Sequence, residues 1–326
     1  MSDPARPVDL AMAEDRAPKR VIRGLWIERV VELAPEHDPE AGPLYLTLCG
    51  ALGREIEMLI ERGVIRRAEN GEAIEEADVS KVIAVESSPE AVLALQRRFP
   101  GLRIVEKSVR DMVRSENPMA WPETRAEDRH MTRARVINLD LDEPLLVSEV
   151  QAVPRFPILT VISKMAQIHA DRPDDWVLCL TLHGQIYWTA SVALSIQRFL
   201  LDNFDLEEAF RESARAHLGQ ELFDLVNGET AIEWEPRNII EHQLMLMLVV
   251  PKTIAHLVAS QGWRITSARC LRYGGTQSRA PMVSWILDFT WDTRGGMQGT
   301  TVYRESLRVT PGTTQYIDET GAIQTV

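Results

Sequence analysis

The feature that most constrains the fold is a change of hydrophobic period between residues 44 and 63. Leu44-Tyr45-Leu46-Thr47-Leu48 is a short apolar run that ends at Cys49-Gly50. Residues 53–63 follow, with Ile56, Leu59 and Ile60 spaced for one helical face. Run, glycines and periodic segment together predict a strand, a turn and a helix. The alternation then continues. Residues 81–86 (KVIAVE) predict a second buried strand. Ser88 and Pro89 then suit the cap and first position of a helix, with Glu90 in its first turn and Ala91, Val92, Leu95 and Phe99 inward. Residues 102–105, 135–141 and 176–182 predict three more strands, the last preceded by a helix over 158–169. Strands alternating with helices form parallel βαβ units with right-handed crossovers. Strands this apolar are expected where helices cover both faces of a sheet.

The flanks are read more coarsely. Residues 1–20 are rich in Ala, Pro and charge and lack an apolar core segment, so they predict a disordered tail rather than a secretory signal. Val21, Ile22, Leu25, Trp26, Val30, Val31 and Leu33 suit an amphipathic helix over 21–33. Segments 186–201, 206–226 and 238–260 have helical pattern, the last interrupted by Pro251. Residues 263–271 and 282–291 are strand-like and joined by a Gly-containing loop, a hairpin with a long turn. Residues 300–309 are a further strand candidate. The expected architecture is one α/β domain over 21–326. It is a doubly wound, mostly parallel seven-stranded sheet with a late antiparallel hairpin and a helical insertion over 186–260. That insertion is expected to shape substrate choice or a homodimer contact.

Charge bounds the partners. With 36 basic and 48 acidic residues the chain carries a net charge of −12, poorly suited to non-specific polyanion binding. Two local arginine surpluses remain: Arg264, Arg269, Arg272 and Arg279, with no acid between the first and last, and Arg125, Arg129, Arg133 and Arg135. Each is either solvated surface or a basic lip for nucleic acid or another anion. Cys49, Cys179 and Cys270 are widely spaced and form no CxxC, which predicts neither disulfides nor zinc. The longest apolar stretch, 244–250, is too short for a bilayer. A cytoplasmic protein with no membrane partner is expected.

The candidate site follows from the first turn. Backbone N–H groups converge where a Gly-containing turn enters a helix, and small residues let a ligand approach the main chain. In open α/β sheets ligands sit outside the carboxyl ends of the strands, near the switch in strand order. Glu86 closes the second strand, where a carboxylate can accept hydrogen bonds from both hydroxyls of a ribose. Asn138, Asp140 and Asp142 cluster at the end of the fourth strand, where acids position an acceptor amine or take its proton, or simply cap the loop before Pro144. His183 follows the fifth strand and reads as a structural histidine, with Tyr187 and Trp188 as core or cleft wall.

Over residues 45–290 this order of elements resembles the class I S-adenosylmethionine-dependent methyltransferase family. Leu46 to Gly53 is similar to that family's first motif, which implies that Cys49, Gly50, Ala51 and Gly53 bind the cofactor. Val82 to Glu86 resembles its ribose-binding second strand, implicating Glu86 and Ser87. Val105 to Val109 lies where the family contacts adenine, implicating Ser108 and Val109. Val136 to Asp140 resembles the fourth motif, with Asn138 toward the cofactor and Asp140 and Asp142 as catalytic candidates. The late hairpin resembles the antiparallel sixth and seventh strands that mark the family. Dinucleotide dehydrogenases lack that hairpin, and this chain lacks Gly-x-Gly-x-x-Gly, so an NAD-dependent oxidoreductase is the weaker expectation.

The chain also departs from the family. Leu46 or Leu48 stands near its usual acid, Ala51 and Leu52 stand among its glycines, and Ser108 stands where Asp is common. The 138–142 run is unlike the Asn/Asp-Pro-Pro-aromatic motif of amino-methylating nucleic-acid enzymes. The resemblance implies S-adenosylmethionine as cofactor and methyl transfer to an unnamed acceptor. The altered turn keeps a non-catalytic scaffold or regulatory subunit open as the alternative.

Overall fold

The computed structural model describes residues 16–69, 71, 73–112, 130–141, 157–185, 190–228, 236–274 and 281–325. Five strands carry the parallel part of the sheet: β1 (Tyr45–Thr47), β2 (Val82–Val85), β3 (Arg103–Val105), β4 (Val136–Asp140) and β5 (Trp176–His183). The hairpin is β6 (Trp263–Tyr273) and β7 (Met282–Trp291), and β8 (Thr313–Ile317) and β9 (Ile323–Thr325) follow. All nine form one sheet in the order β3-β2-β1-β4-β5-β7-β6-β8-β9. β1 pairs in parallel with both β2 and β4, so the order reverses direction there. β7 runs antiparallel to both β5 and β6. The seven strands expected from the sequence are all present, but among the described residues the sheet has nine, because β8 adds in parallel to β6 and β9 pairs with β8.

Alternate residues of the parallel strands feed two separate cores, which is why these strands are apolar on both sides. Leu46, Ile83, Ile137, Leu139, Leu178 and Leu180 point into the first core. It is closed by α5 (Pro157–His169), α6 (Ala190–Leu206), α7 (Glu208–Leu218), α8 (Gln220–Asn227), α9 (Ile239–Ala259) and α10 (Gly295–Arg308). Tyr45, Val82, Ala84, Val136, Val177 and Cys179 point into the second. There they meet α1 (Ala17–Leu33), α2 (Arg54–Glu61) and α3 (Pro89–Arg98). The short α4 (Val109–Met112) packs into the first core. All three cysteines are free thiols and buried.

Three expectations are corrected. Residues 300–309 are not a strand; 300–308 lie in α10, where Val302, Ser306 and Leu307 make a fully buried helical face. The β-branched Thr300-Thr301-Val302 run favours strand locally, and packing against α9 and β6 overrides it. Residues 17–20 are not tail but the first turn of α1, with Pro18 near its start. Pro251 does not interrupt α9, which runs through it. A proline there leaves the Met247 carbonyl without its helical donor, and the Cys270 thiol approaches that oxygen at 3.7 Å. α9 has the length and composition of a membrane span, yet most of it is buried as a core helix.

On the second face α1 runs from the carboxyl edge of the sheet toward its amino edge. Near its start Lys19 reaches Asp140 at the carboxyl end of β4. Near its end Arg29 Nη2 bonds Asp288 Oδ1 at 2.6 Å, and Asp288 is in register with Val177 at the opposite end of β5.

Candidate functional site

The carboxyl edge of β1, β2 and β4 is built by local backbone geometry. The Leu48 N–H donates to the Asn138 carbonyl at 3.3 Å, tying β1 to β4 at the edge. The chain then turns through Gly50 (φ 60°) and Gly53 (φ 54°), both left-handed, and the Gly53 N–H donates back to the Gly50 carbonyl at 3.2 Å. Gly53 is the N-cap of α2, and its carbonyl accepts from Ile56 and Glu57. A Cβ on Gly53 would lie 2.6 Å from Phe99 Cε2, so this glycine lets α2 sit against the end of α3. Within the turn Cys49 and Gly53 are buried, Gly50 is half-buried and Ala51 is exposed.

The neighbouring strands add side chains. The Glu86 N–H donates to the Val105 carbonyl, and Glu86 Oε1 accepts from the Ser88 N–H at 2.8 Å, which orients the carboxylate at the edge. Ser87 beside it is exposed, and Ser88 caps α3 through the Ala91 N–H. Ser108 caps α4: its Oγ accepts from the Asp111 N–H at 3.1 Å and donates to Asp111 Oδ2 at 2.7 Å. Val109 is buried in the first core. Asn138 is fully buried below the edge, with its Nδ2 donating to Thr47 Oγ1 at 3.2 Å. Adjacent strands lie about 4.8 Å apart, so β2 to β4 spans about 10 Å, the width of a nucleoside. Gly50 and Ala51 follow β1, Glu86 and Ser87 follow β2, Ser108 follows β3, and Asp140 ends β4. Asp142, Tyr187 and Trp188 lie outside the described residues.

Sequence reasoning missed a pair of ion pairs beneath this edge. Lys19 Nζ lies 2.5 Å from Asp140 Oδ1, and Arg23 Nε lies 2.9 Å from Glu55 Oε1. Arg23 and Glu55 are both buried, and burial pushes the Glu55 carboxyl up to about 7. Arg23 opposes that shift and the nearby Asp140 carboxylate adds to it. Burial, with the Glu55 charge, also pushes the Tyr45 hydroxyl well above its ordinary range. The available signal was the spacing of Lys19 and Arg23, one helical turn apart, together with an acid in the first turn of α2. Placing Lys19 in a tail hid it.

The arginine surpluses do not form one surface. Arg264, at the amino end of β6, pairs with Glu305 at 2.5 Å, and Arg269 Nε donates to Gln315 Oε1 at 2.7 Å. Arg272 lies over the Tyr316 ring, 4.6 Å from its centroid, near the carboxyl end of β6. Arg133 and Arg135 lie at the amino end of β4, on the edge of the sheet opposite Arg272. Arg125, Arg129 and Arg279 lie outside the described residues. Among the described residues no group of His, Cys, Asp and Glu side chains is arranged to hold a metal ion.

No protein-family profile matches the sequence, and no curated protein matches it.

Proposed function

We propose that this chain is an S-adenosylmethionine-dependent methyltransferase whose cofactor lies across the carboxyl ends of β2, β1 and β4. One observation carries the reading: the strand order β3-β2-β1-β4-β5-β7-β6, with β7 antiparallel inside it. The reversal at β1 and β4 opens the crevice in which nucleotide-type ligands bind. The antiparallel pair is the feature by which the resembled family differs from dinucleotide dehydrogenases. In this reading the first seven strands are a doubly wound unit, and β8 and β9 are an addition to its edge.

The residue roles follow from exposure. Glu86, already fixed by the Ser88 N–H, accepts from the ribose hydroxyls. The backbone of Gly50 and Ala51 lines the cofactor, and Ser87 and Ser108 flank the adenine. Cys49, Gly53, Val109 and Asn138, all buried, support this wall from behind. Asp140, followed by Asp142, positions the acceptor nucleophile. Held there, S-adenosylmethionine would supply an electrophilic methyl group to the nucleophile that Asp140 positions. The proton released by the acceptor passes to a carboxylate or to water. Catalysis of this kind rests mainly on positioning. A non-catalytic scaffold is the second reading, favoured by the Lys19–Asp140 ion pair, which an acceptor must displace.

Calorimetry with S-adenosylmethionine, S-adenosylhomocysteine and NAD tests the proposal. Both sulfur nucleotides are expected to bind and NAD is not. Glu86→Ala is expected to weaken binding by about 1–3 kcal/mol, the scale of hydrogen bonds lost from a partly buried carboxylate. No heat with either sulfur nucleotide at millimolar concentration overturns the proposal, and unchanged affinity in Glu86→Ala removes that residue from the site. Binding without methyl transfer to any acceptor selects the scaffold.

A further inference from the structure

Lys19 ties the amino end of α1 to the carboxyl end of β4. Its Nζ lies 2.5 Å from Asp140 Oδ1, and the two side chains are 17% and 11% exposed, so the lysine covers the carboxylate. Among the described residues each is the other's only hydrogen-bond or ion-pair partner. Leu139 points into the first core, so Asp140 after it turns toward the second face, where α1 lies.

Local sequence does little to hold the turn that carries Lys19. The N-cap residue, Arg16, makes no side-chain cap, and the first turn contains no acid. Arg16, Lys19 and Arg20 instead put three positive charges at the positive end of the helix dipole. The next turn differs. Ile22 is fully buried, Arg23 is paired with Glu55, and Trp26, Ile27 and Val30 follow in the core. The helix is anchored from Ile22 onward, so an opening confined to residues 17–21 breaks the Lys19–Asp140 pair and leaves the anchor intact. The closed turn still has a defined seat. Pro18 is buried, and a Cβ on Gly321, between β8 and β9, would lie 3.5 Å from Ala17 Cβ.

We propose that this first turn is an autoinhibitory latch: Lys19 holds the place of a cationic amine on Asp140, and the acceptor enters as an alkylammonium that exchanges with it. The inference rests on the methyltransferase reading for the role of Asp140, and adds to it the class of acceptor and the means of regulation. Exchange of one ammonium for another keeps the carboxylate paired, whereas a neutral acceptor leaves a largely buried charge without its cation. The net charge of −12 favours the approach of cations.

The probe is n-propylammonium, the part of the lysine side chain that alanine lacks. Calorimetry and the carboxyl carbon resonance of Asp140 follow its binding to the full chain. Lys19→Ala is expected to bind it about tenfold more tightly than wild type, the scale of one hydrogen bond to a charged group, and adding Asp140→Asn should abolish the gain. The Arg20 N–H, which closes the first helical bond to the Arg16 carbonyl at 3.0 Å, reports on the turn itself. Its hydrogen exchange should quicken about tenfold in Lys19→Ala, while that of Val30 and Val31 should hold. Equal affinity in wild type and Lys19→Ala, or a gain that survives Asp140→Asn, overturns the proposal. Unchanged exchange at Arg20 overturns it as well, since the turn is then not held by the pair. None of these readouts uses a sulfur nucleotide. Failure of S-adenosylhomocysteine to bind overturns the methyltransferase reading by itself, while the propylammonium and exchange results decide the latch.

Discussion

Replacing Arg23 by methionine is expected to cost about 3–5 kcal/mol of folding stability, the range for removing one partner of a buried ion pair. Arg23 is 3% exposed and Glu55 is fully buried, with Nε and Oε1 2.9 Å apart. The guanidinium is the main charge that opposes the burial of the Glu55 carboxylate, and Asp140 adds repulsion nearby. Without Arg23, Glu55 either remains as an uncompensated buried charge or takes up a proton. Removing both charges has a different outcome. Arg23→Met with Glu55→Leu places apolar groups in the layer that already holds Trp26, Ile27 and Ile56, and should lie near or above wild type. Urea unfolding of the three proteins measures this. A single Arg23→Met within about 1 kcal/mol of wild type would contradict it.

The same pair fixes a pH dependence. The Glu55 carboxyl is raised from 4.5 in the unfolded chain to about 7 in the fold, so the folded state binds the extra proton between these values. Its contribution to stability is fully present below about pH 4.5 and is lost as pH rises through about 7. Buried His169 and His217 are pushed down, to about 3 and about 4, and give a slope of opposite sign below their ordinary values. The difference between wild type and the double variant isolates Glu55. Wild type should lose stability relative to the double variant between about pH 5 and 7, and a flat difference would remove Glu55 as the titrating group.

What the sequence revealed divides by the range of the interactions. β1, β2, β4 and β5 were legible because both faces of each are buried, so most of their residues are apolar. β8 was not, because only Ile317 among its residues is buried and its existence depends on pairing with β6. The turn at Gly50 and Gly53 and the acid at Glu86 were legible because strand, turn and cap are local. The first turn of α1 has a polar face, and the partner of Lys19 is Asp140, 121 residues away. The cavity at the amino edge of the sheet was equally hidden. His169 reads in sequence as a helix end, and only the approach of the 41–43 loop to Arg133 and Arg135 makes it a wall.

Gly53→Ala is expected to cost about 2–5 kcal/mol. A left-handed alanine accounts for about 1–2 kcal/mol of that. The rest, about 1–3 kcal/mol, is overpacking. The new Cβ would lie 2.6 Å from Phe99 Cε2 and 2.8 Å from Leu95 Cδ2, and both side chains are fully buried, so neither yields without moving α3. Gly63, just beyond the other end of α2, supplies the control. It too is left-handed (φ 71°), but a Cβ there would meet nothing within 4 Å. Gly63→Ala should therefore cost only the backbone share, about 1–2 kcal/mol, and the difference between the two variants measures the packing of α2 on α3. That packing also sets the candidate site. Gly50 and Ala51 lead directly into α2, and Glu86 is bonded to the residue that caps α3, so a wedge between the helices moves the turn relative to the carboxylate. Affinity for S-adenosylhomocysteine should fall in Gly53→Ala, measured under conditions where it remains folded, and hold in Gly63→Ala. Equal stability costs at the two glycines would show that Phe99 and Leu95 give way freely. Equal affinities would separate the helix packing from the proposed cofactor wall.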